Sequence, residues 1–559
     1  MVYSKTDYNI SKLGNFYQRD KTLFRVFAPT YDELYLELNS QSFKMHRNGL
    51  VFEIAIGGDL ENIGYHYASK DGVNFRDPFA YLSIGSDSIV LDKSKFNKEI
   101  IKVEDRKETV IYECNVRDFS SSETYIGNYH KKFLSFTEKG LKKDNYYSLG
   151  LDYLVNLGIS HIQLMPIFEF DKDHAEYNWG YNPLAYNYLE SDYIVDKDDY
   201  YAYINEFRKT VNILHQNNIK VVLDVVFNHV YDIKSNDLQK MVPDLFFRKL
   251  EDGSYGQGSL CGNEIKSEEP FVRDYIVLMC LRYLDLFDID GLRFDLMGIL
   301  DIDTINAVKK QIQHYKKDFI IYGEGWNMGD VLHVDHRASM MNASKLPGIG
   351  FFNDEYRDTI INYVSGNNSI RDLVKKVMLG HHNNFDYRQS INYVECHDGF
   401  TLIDRINNYL IDDHMAVNRC KLALAMVMLS RGTPFIHMGQ EFLRSKGCVE
   451  NSYNSGDAVN GIDWDLRVLH NDMCDYFKEL VRIRKKFHIN KMEDIYFEDY
   501  YECMIYHIGN LLVIINGTND DYIYNDGKTY RVIFDVNGAC DYRKNDVIIS
   551  ALSLVVCHI

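Results

Sequence analysis

Lys220-Val221-Val222-Leu223-Asp224-Val225-Val226-Phe227-Asn228-His229 is an apolar, β-branched run that ends on an amide and an imidazole and carries one carboxylate in its middle. A strand apolar at successive positions is buried on both faces, as in a parallel sheet covered by helices. Seven more runs of this kind lie around it: Val110 to Val116, Ile159 to Met165, Ile289 to Asp295, Phe319 to Gly323, Gly348 to Phe352, Ile391 to Val394 and Pro434 to Met438. Between them stand segments of helical period, among them Tyr200 to Asn217, Phe271 to Phe287 and Asn418 to Leu429. Eight such strands alternating with helices predict a (β/α)8 barrel. A doubly wound open sheet is the alternative, although no dinucleotide-binding glycine fingerprint follows the early strands.

Both flanks change period. Thr22-Leu23-Phe24-Arg25-Val26-Phe27 and Glu33-Leu34-Tyr35-Leu36-Glu37-Leu38 alternate with period two, and turn signals stand at Asn48-Gly49 and Gly57-Gly58. That pattern predicts an antiparallel β-sandwich over 1–105. The barrel is expected over 106–488, closing with a helix from Met473 to Phe487. Leu511-Leu512-Val513-Ile514-Ile515 and Tyr530-Arg531-Val532-Ile533-Phe534 then predict a C-terminal antiparallel β domain over 489–559. The 559 residues suit such a division, since domains run to roughly 100 to 200 residues each.

Apolar residues make up 46% and charged residues 26%, which excludes wholesale disorder. The formal net charge of −19 is the wrong sign for a protein that tracks phosphates, so no nucleic-acid partner is expected. No run of apolar residues is long enough to span a membrane, and the stretch Met1 to Asp20 has no apolar h-region behind its Lys, so a cytoplasmic protein is expected. The ten cysteines form no C-x-x-C pair, and reduced thiols are the reading. Sequence leaves the oligomeric state open.

The active face of a barrel lies at the C-terminal ends of its strands. The fourth run ends Gly291-Leu292-Arg293-Phe294-Asp295, where Arg293 and Asp295 are two apart and share a face. A guanidinium there favours the ionised carboxylate and keeps it available as a nucleophile. Alone, the pair reads more readily as a structural ion pair. The fifth run ends Tyr322-Gly323-Glu324-Gly325-Trp326, an acid beside an aromatic whose apolar wall would favour the protonated form. The seventh ends Val394-Glu395-Cys396-His397-Asp398. Carboxylates and imidazoles gathered on one rim repel or desolvate one another unless chemistry needs them. An ionised acid beside a protonated one is what glycosidic cleavage requires, and retention asks for the two about 5 to 5.5 Å apart.

In that order, DVVFNH, GLRFDL, YGEGW and YVECHD resemble the four ordered regions of glycoside hydrolase family 13, the α-amylase superfamily. Tyr177-Asn178-Trp179-Gly180-Tyr181-Asn182-Pro183 is similar to the signature of type I pullulanases, its α-1,6-debranching members. The runs Val110 to Ser120, Gly432 to Phe435, Gln440 to Phe442 and Asn451 to Ser455 match as well, and Phe24 to Thr30 resembles the starch-binding-type sandwich that precedes such barrels. The resemblance implies Asp295 as nucleophile, Glu324 as general acid/base and Asp398 as the carboxylate that orients sugar hydroxyls. It implies that Arg293 braces Asp295, that His229 and His397 hold hydroxyls, that Tyr181 stacks under the sugar and that Asp224 supports them from behind. Trp326 and Trp179 are sugar platforms or core packing.

Gly399-Phe400 after Asp398, and Asn182 where Asp is commoner, depart from the pattern and touch subsite detail. Asn228 alone makes no calcium cage, so no metal or other cofactor is expected. The short N-terminal region leaves room for one sandwich, without further binding modules. The expected activity is retaining hydrolysis of α-1,6 branch linkages in an α-glucan such as pullulan, glycogen or a limit dextrin. The rivals are an isoamylase-like or α-1,4-acting enzyme, a transglycosylase, and a non-catalytic glucan-binding relative; the presence of all three acids speaks against the last.

Overall fold

The computed structural model describes residues 8–104, 108–173, 175–410 and 415–559. Eight parallel strands close into a barrel: β1 Ile111–Cys114, β2 His161–Leu164, β3 Lys220–Val225, β4 Gly291–Phe294, β5 Ile320–Gly323, β6 Gly350–Phe352, β7 Ser390–Asn392 and β8 Thr433–His437. β1 pairs with β8 through Ile111 and Phe435, which closes the ring and excludes the open sheet. Every residue of β1 to β4 is buried, the polar Glu113, Gln163, Asp224 and Arg293 among them, as expected of strands covered on both faces.

The helices follow the periodic segments closely. Ala202–Gln216, Pro270–Phe287 and Ala416–Leu429 lie between strands, and Asn471–Phe487 follows the last. Pro270 opens its helix at a position where its missing N–H costs nothing, and Asp288 ends it in the left-handed conformation at φ 56°.

Side chains inside the barrel alternate with those facing the helices. Ile111, Val222, Tyr322, Phe352, Ile391 and Phe435 form a buried cluster separate from the main core. With a strand period of two, the residues two further on, within β1 and β3 and just past β5, lie one layer nearer the C-terminal mouth. Those residues are Glu113, Asp224 and Glu324. In register, Asp224 pairs with Arg293 and Arg293 with Tyr322, so the polar layer is continuous around this half of the barrel.

The N-terminal region forms two antiparallel sheets. One contains Gly14–Gln18, Lys21–Phe27, Val51–Gly57 and His46–Asn48; the other is built around Leu34–Leu38 and Gly64–Ser69. Phe27 stacks on Phe271 of the helix Pro270–Phe287 at 4.4 Å between ring centres, seating the sheets against the barrel. The break expected at 105–106 and the first seven residues of the leading stretch lie outside the described residues. A six-stranded antiparallel sheet from Ile495 to His558 ends the chain, and Phe534 packs on Tyr476 of the helix Asn471–Phe487. Among the described residues no disulfide joins any of the ten cysteines, and no helix is long and apolar enough to cross a membrane.

Candidate active site

Arg293, the third residue of β4, is 1% exposed and organises the inward polar layer. Its Nη1 donates to Asp295 Oδ1 at 2.8 Å and to both oxygens of Asp224 at 2.9 Å, while Nη2 reaches Glu324 Oε1 at 2.6 Å. One planar guanidinium thus holds the two expected reacting carboxyls on neighbouring nitrogens, beside one another as a retaining pair must be. The fork cannot be copied by an ammonium, which offers one point charge. Arg293→Lys should therefore lower kcat by roughly 100-fold or more, the size of effect seen when one preorganised electrostatic partner is lost. Steady-state rates alongside a thermal melt would check it.

Asp295 follows directly on β4. The amide of Asn228 donates to its Oδ2 at 2.7 Å and to its main-chain oxygen at 3.0 Å, so the carboxylate is fixed from two sides. The next residue, Leu296, adopts φ 39°, a left-handed conformation that costs a branched side chain energy. That turn aims the Leu296 N–H at Glu324 Oε2, 3.1 Å away, and so ties the two acids through the backbone as well.

Glu324 stands just past β5. A Cβ on Gly323 would lie 2.4 Å from the Phe294 carbonyl oxygen, and one on Gly325 would lie 2.5 Å from the Phe351 ring. The glycines on either side therefore let this turn lie flush against its neighbours. Burial pushes Glu324 up to about 7; Arg293 opposes the rise, and Asp295 and Asp398 add to it. Burial likewise lifts Asp224 to about 6 against the pull of Arg293.

β7 delivers the remaining polar groups. His397 is buried, its Nδ1 lies 2.8 Å from Glu113 Oε1 and its Nε2 lies 3.3 Å from Asp398 Oδ2. Burial alone would depress the imidazole, but Asp398 and Glu113 more than offset it and raise it to about 9. Asp398 itself is 59% exposed and stands at the mouth. The Tyr181 ring stacks on His397 at 4.9 Å, and its hydroxyl donates to Asp224 Oδ2 at 2.7 Å. His229 is buried with Nδ1 2.6 Å from Asn228 Oδ1, and burial lowers its pKa.

A cavity of about 310 Å³ opens over this layer, lined by Glu113, Arg293, Glu324, Trp326, Phe352, Asp354, Arg357, Tyr393, Cys396, His397 and Asp398. Trp326 is placed where it can meet a ligand. Trp179 is not: it is 3% exposed, its Nε1 donates to Asn460 Oδ1 at 3.3 Å, and its ring meets the edge of His397. Trp179 packs with Met165 and Tyr177 in a buried cluster, and its ring lies edge-on to His397. The segment that carries it turns at Gly180, φ 106°, where a Cβ would come within 2.9 Å of Pro166.

Sequence reading passed over Glu113, Asp354, Arg357 and Tyr393. Arg357 and Asp354 belong to the helix Asp354–Val364 after β6, and Arg357 Nη1 donates to the Tyr393 hydroxyl at 3.1 Å. Only Glu113 left a trace, as a lone acid inside the apolar run of β1. Among the described residues no group of three or more His, Cys, Asp or Glu side chains is arranged to hold a metal ion.

The family model for the α-amylase catalytic domain matches residues 148–240. A pullulanase of Bacillus subtilis (strain 168) is 34% identical over 540 residues, covering 89% of this chain and 74% of that protein. Chloroplastic pullulanase 1 of Arabidopsis thaliana is 30% identical over 465 residues, 63% of this chain, and the chain spans 47% of that relative's length. Among solved structures, pullulanase from Anoxybacillus sp. LM18-11, complexed with maltotetraose, superposes with a TM-score of 0.93 at 31% identity, covering 99% of this chain and 88% of that one.

Proposed function

The chain belongs to the type I pullulanases of the α-amylase family, and from that premise we propose that it hydrolyses α-1,6-glucosidic branch linkages in α-glucans with retention of configuration. The observation that carries the reading is the single guanidinium of Arg293 bonded to both Asp295 and Glu324. Asp295, fixed by Arg293 and Asn228, attacks the anomeric carbon and forms a glycosyl-enzyme ester. Glu324, protonated up to about pH 7, gives its proton to the departing glycosidic oxygen. Once ionised, it takes a proton from the water that opens the ester. Asp398, at the mouth of the cavity, and the buried His397 in its wall hold hydroxyls of the sugar under attack, and Trp326 offers an apolar face to a neighbouring unit.

Charge is supplied throughout by these side chains, and no step calls for a metal ion or other cofactor. Pullulan consists of maltotriose units joined through α-1,6 bonds, so incubation with it should release maltotriose, separable by chromatography. Amylose, which lacks those bonds, should be left intact. Cleavage of amylose in place of pullulan would turn the assignment to an α-1,4-acting enzyme.

A further inference from the structure

Glu113 is fully buried in the middle of β1, on a strand that supplies none of the groups assigned to the reaction above, and both its oxygens are engaged by His397. Oε2 accepts the main-chain N–H of His397 at 2.8 Å, and Oε1 lies 2.8 Å from the ring Nδ1. Gln163 of β2 donates to the same Oε1 at 3.1 Å, so the carboxylate cannot swing away without losing three bonds. A buried acid engaged this fully for one imidazole is costly unless the imidazole must be held in one state.

The geometry says which state. A carboxylate only accepts, so Nδ1 must donate to Glu113. The other nitrogen, Nε2, faces a second carboxylate, Asp398 Oδ2, at 3.3 Å. A neutral ring with its proton on Nδ1 would turn a lone pair toward that anion; a ring protonated on both nitrogens donates to each. Among the described residues the remaining contacts of His397 give no alternative acceptor for Nε2: Tyr181 covers one face, Trp179 meets an edge, and Lys446 Nζ donates to the His397 carbonyl at 3.1 Å. Arg293, across the layer, is a cation and cannot take a proton from it.

We propose that Glu113 is the positioning residue of the site: by clamping His397 at both its amide and its Nδ1, it presents an Nε2–H outward to Asp398 and to the sugar hydroxyls. Glu113 acts only through His397 and touches no reacting atom. The proposal rests on the assignment of Asp295 and Glu324 as the reacting pair.

The test is a double-mutant cycle with pullulan as substrate, comparing the unaltered protein, Glu113→Gln, His397→Asn and the double variant, with kcat, KM and a thermal melt for each. Gln keeps the shape and one acceptor but cannot accept from both the amide and Nδ1. Glu113→Gln should lower kcat by roughly 10- to 100-fold, the range of coupling between contacting residues. In the His397→Asn background the same change should cost no more than about twofold, because its only partner in the reaction is gone. Losses that multiply in the double variant, an undiminished kcat for Glu113→Gln or for His397→Asn, or a Glu113→Gln chain that does not fold would each overturn the proposal. Failure of the unaltered protein to release maltotriose would instead strike the functional reading on which it rests.

Discussion

Asp295→Asn is expected to reduce maltotriose release from pullulan by about 10⁴-fold or more, the scale of loss when a covalent nucleophile is removed. The amide has nearly the shape of the carboxylate and can still accept from Arg293 Nη1, so the variant should remain folded by circular dichroism. What it loses is the negative oxygen that forms the ester. Because Arg293 and Glu324 persist, substrate should still bind, and KM should change far less than kcat. Release at the unaltered rate by this variant would remove Asp295 from the reaction.

Glu324→Gln separates two consequences of one buried acid. As proton donor, Glu324 should contribute roughly 10²- to 10⁴-fold, and its loss should lower kcat on pullulan by that factor. In the unaltered protein the donor is lost as pH rises through about 7, so kcat/KM should fall about tenfold per pH unit above that point. The variant should lack this alkaline limb.

Stability should move the other way. Between the ordinary glutamate value of 4.5 and about 7, the folded chain binds the Glu324 proton more tightly than the unfolded chain does, and stability falls as pH climbs through that window. Gln carries no proton to lose. At pH 8 the variant should therefore be more stable than the unaltered protein by about 3 kcal/mol at most, and by nothing comparable at pH 4, as thermal melts at the two pH values would read. A variant less stable at both would mean that burial is not what raises this group.

Much of this architecture is legible in the chain because its physical cause is local. β3 reads as Lys220-Val221-Val222-Leu223 since both faces are covered, and Ala202–Gln216 reads as a helix since only one face is. Asp295 and Glu324 are legible because each acid directly follows its barrel strand, where an apolar run would otherwise simply stop.

The parts that escaped depend on contacts between distant segments. Glu113 sits mid-strand, and nothing in Ile111-Tyr112-Glu113-Cys114 indicates that its partner is His397, 284 positions away. Trp179 shares its signature with the half-buried Tyr181, yet one ring lies behind His397 and the other on its face; spacing within a loop does not separate the two. Asp354 and Arg357 enter the cavity from the start of a helix, where acidic residues in a first turn are ordinary and carry no functional signal.

The proposed reaction passes through a covalent intermediate on Asp295 that Glu324 helps to form and to resolve. Maltotriosyl fluoride carries a leaving group that needs no proton, so Glu324→Gln enzyme should accept the sugar and then stall for want of a base. Quenching that mixture and mapping peptides by mass spectrometry should find one maltotriosyl group on the peptide containing Asp295. A sugar attached to any other residue, or free maltotriose formed without an adduct and with inverted configuration, would exclude Asp295 as the nucleophile.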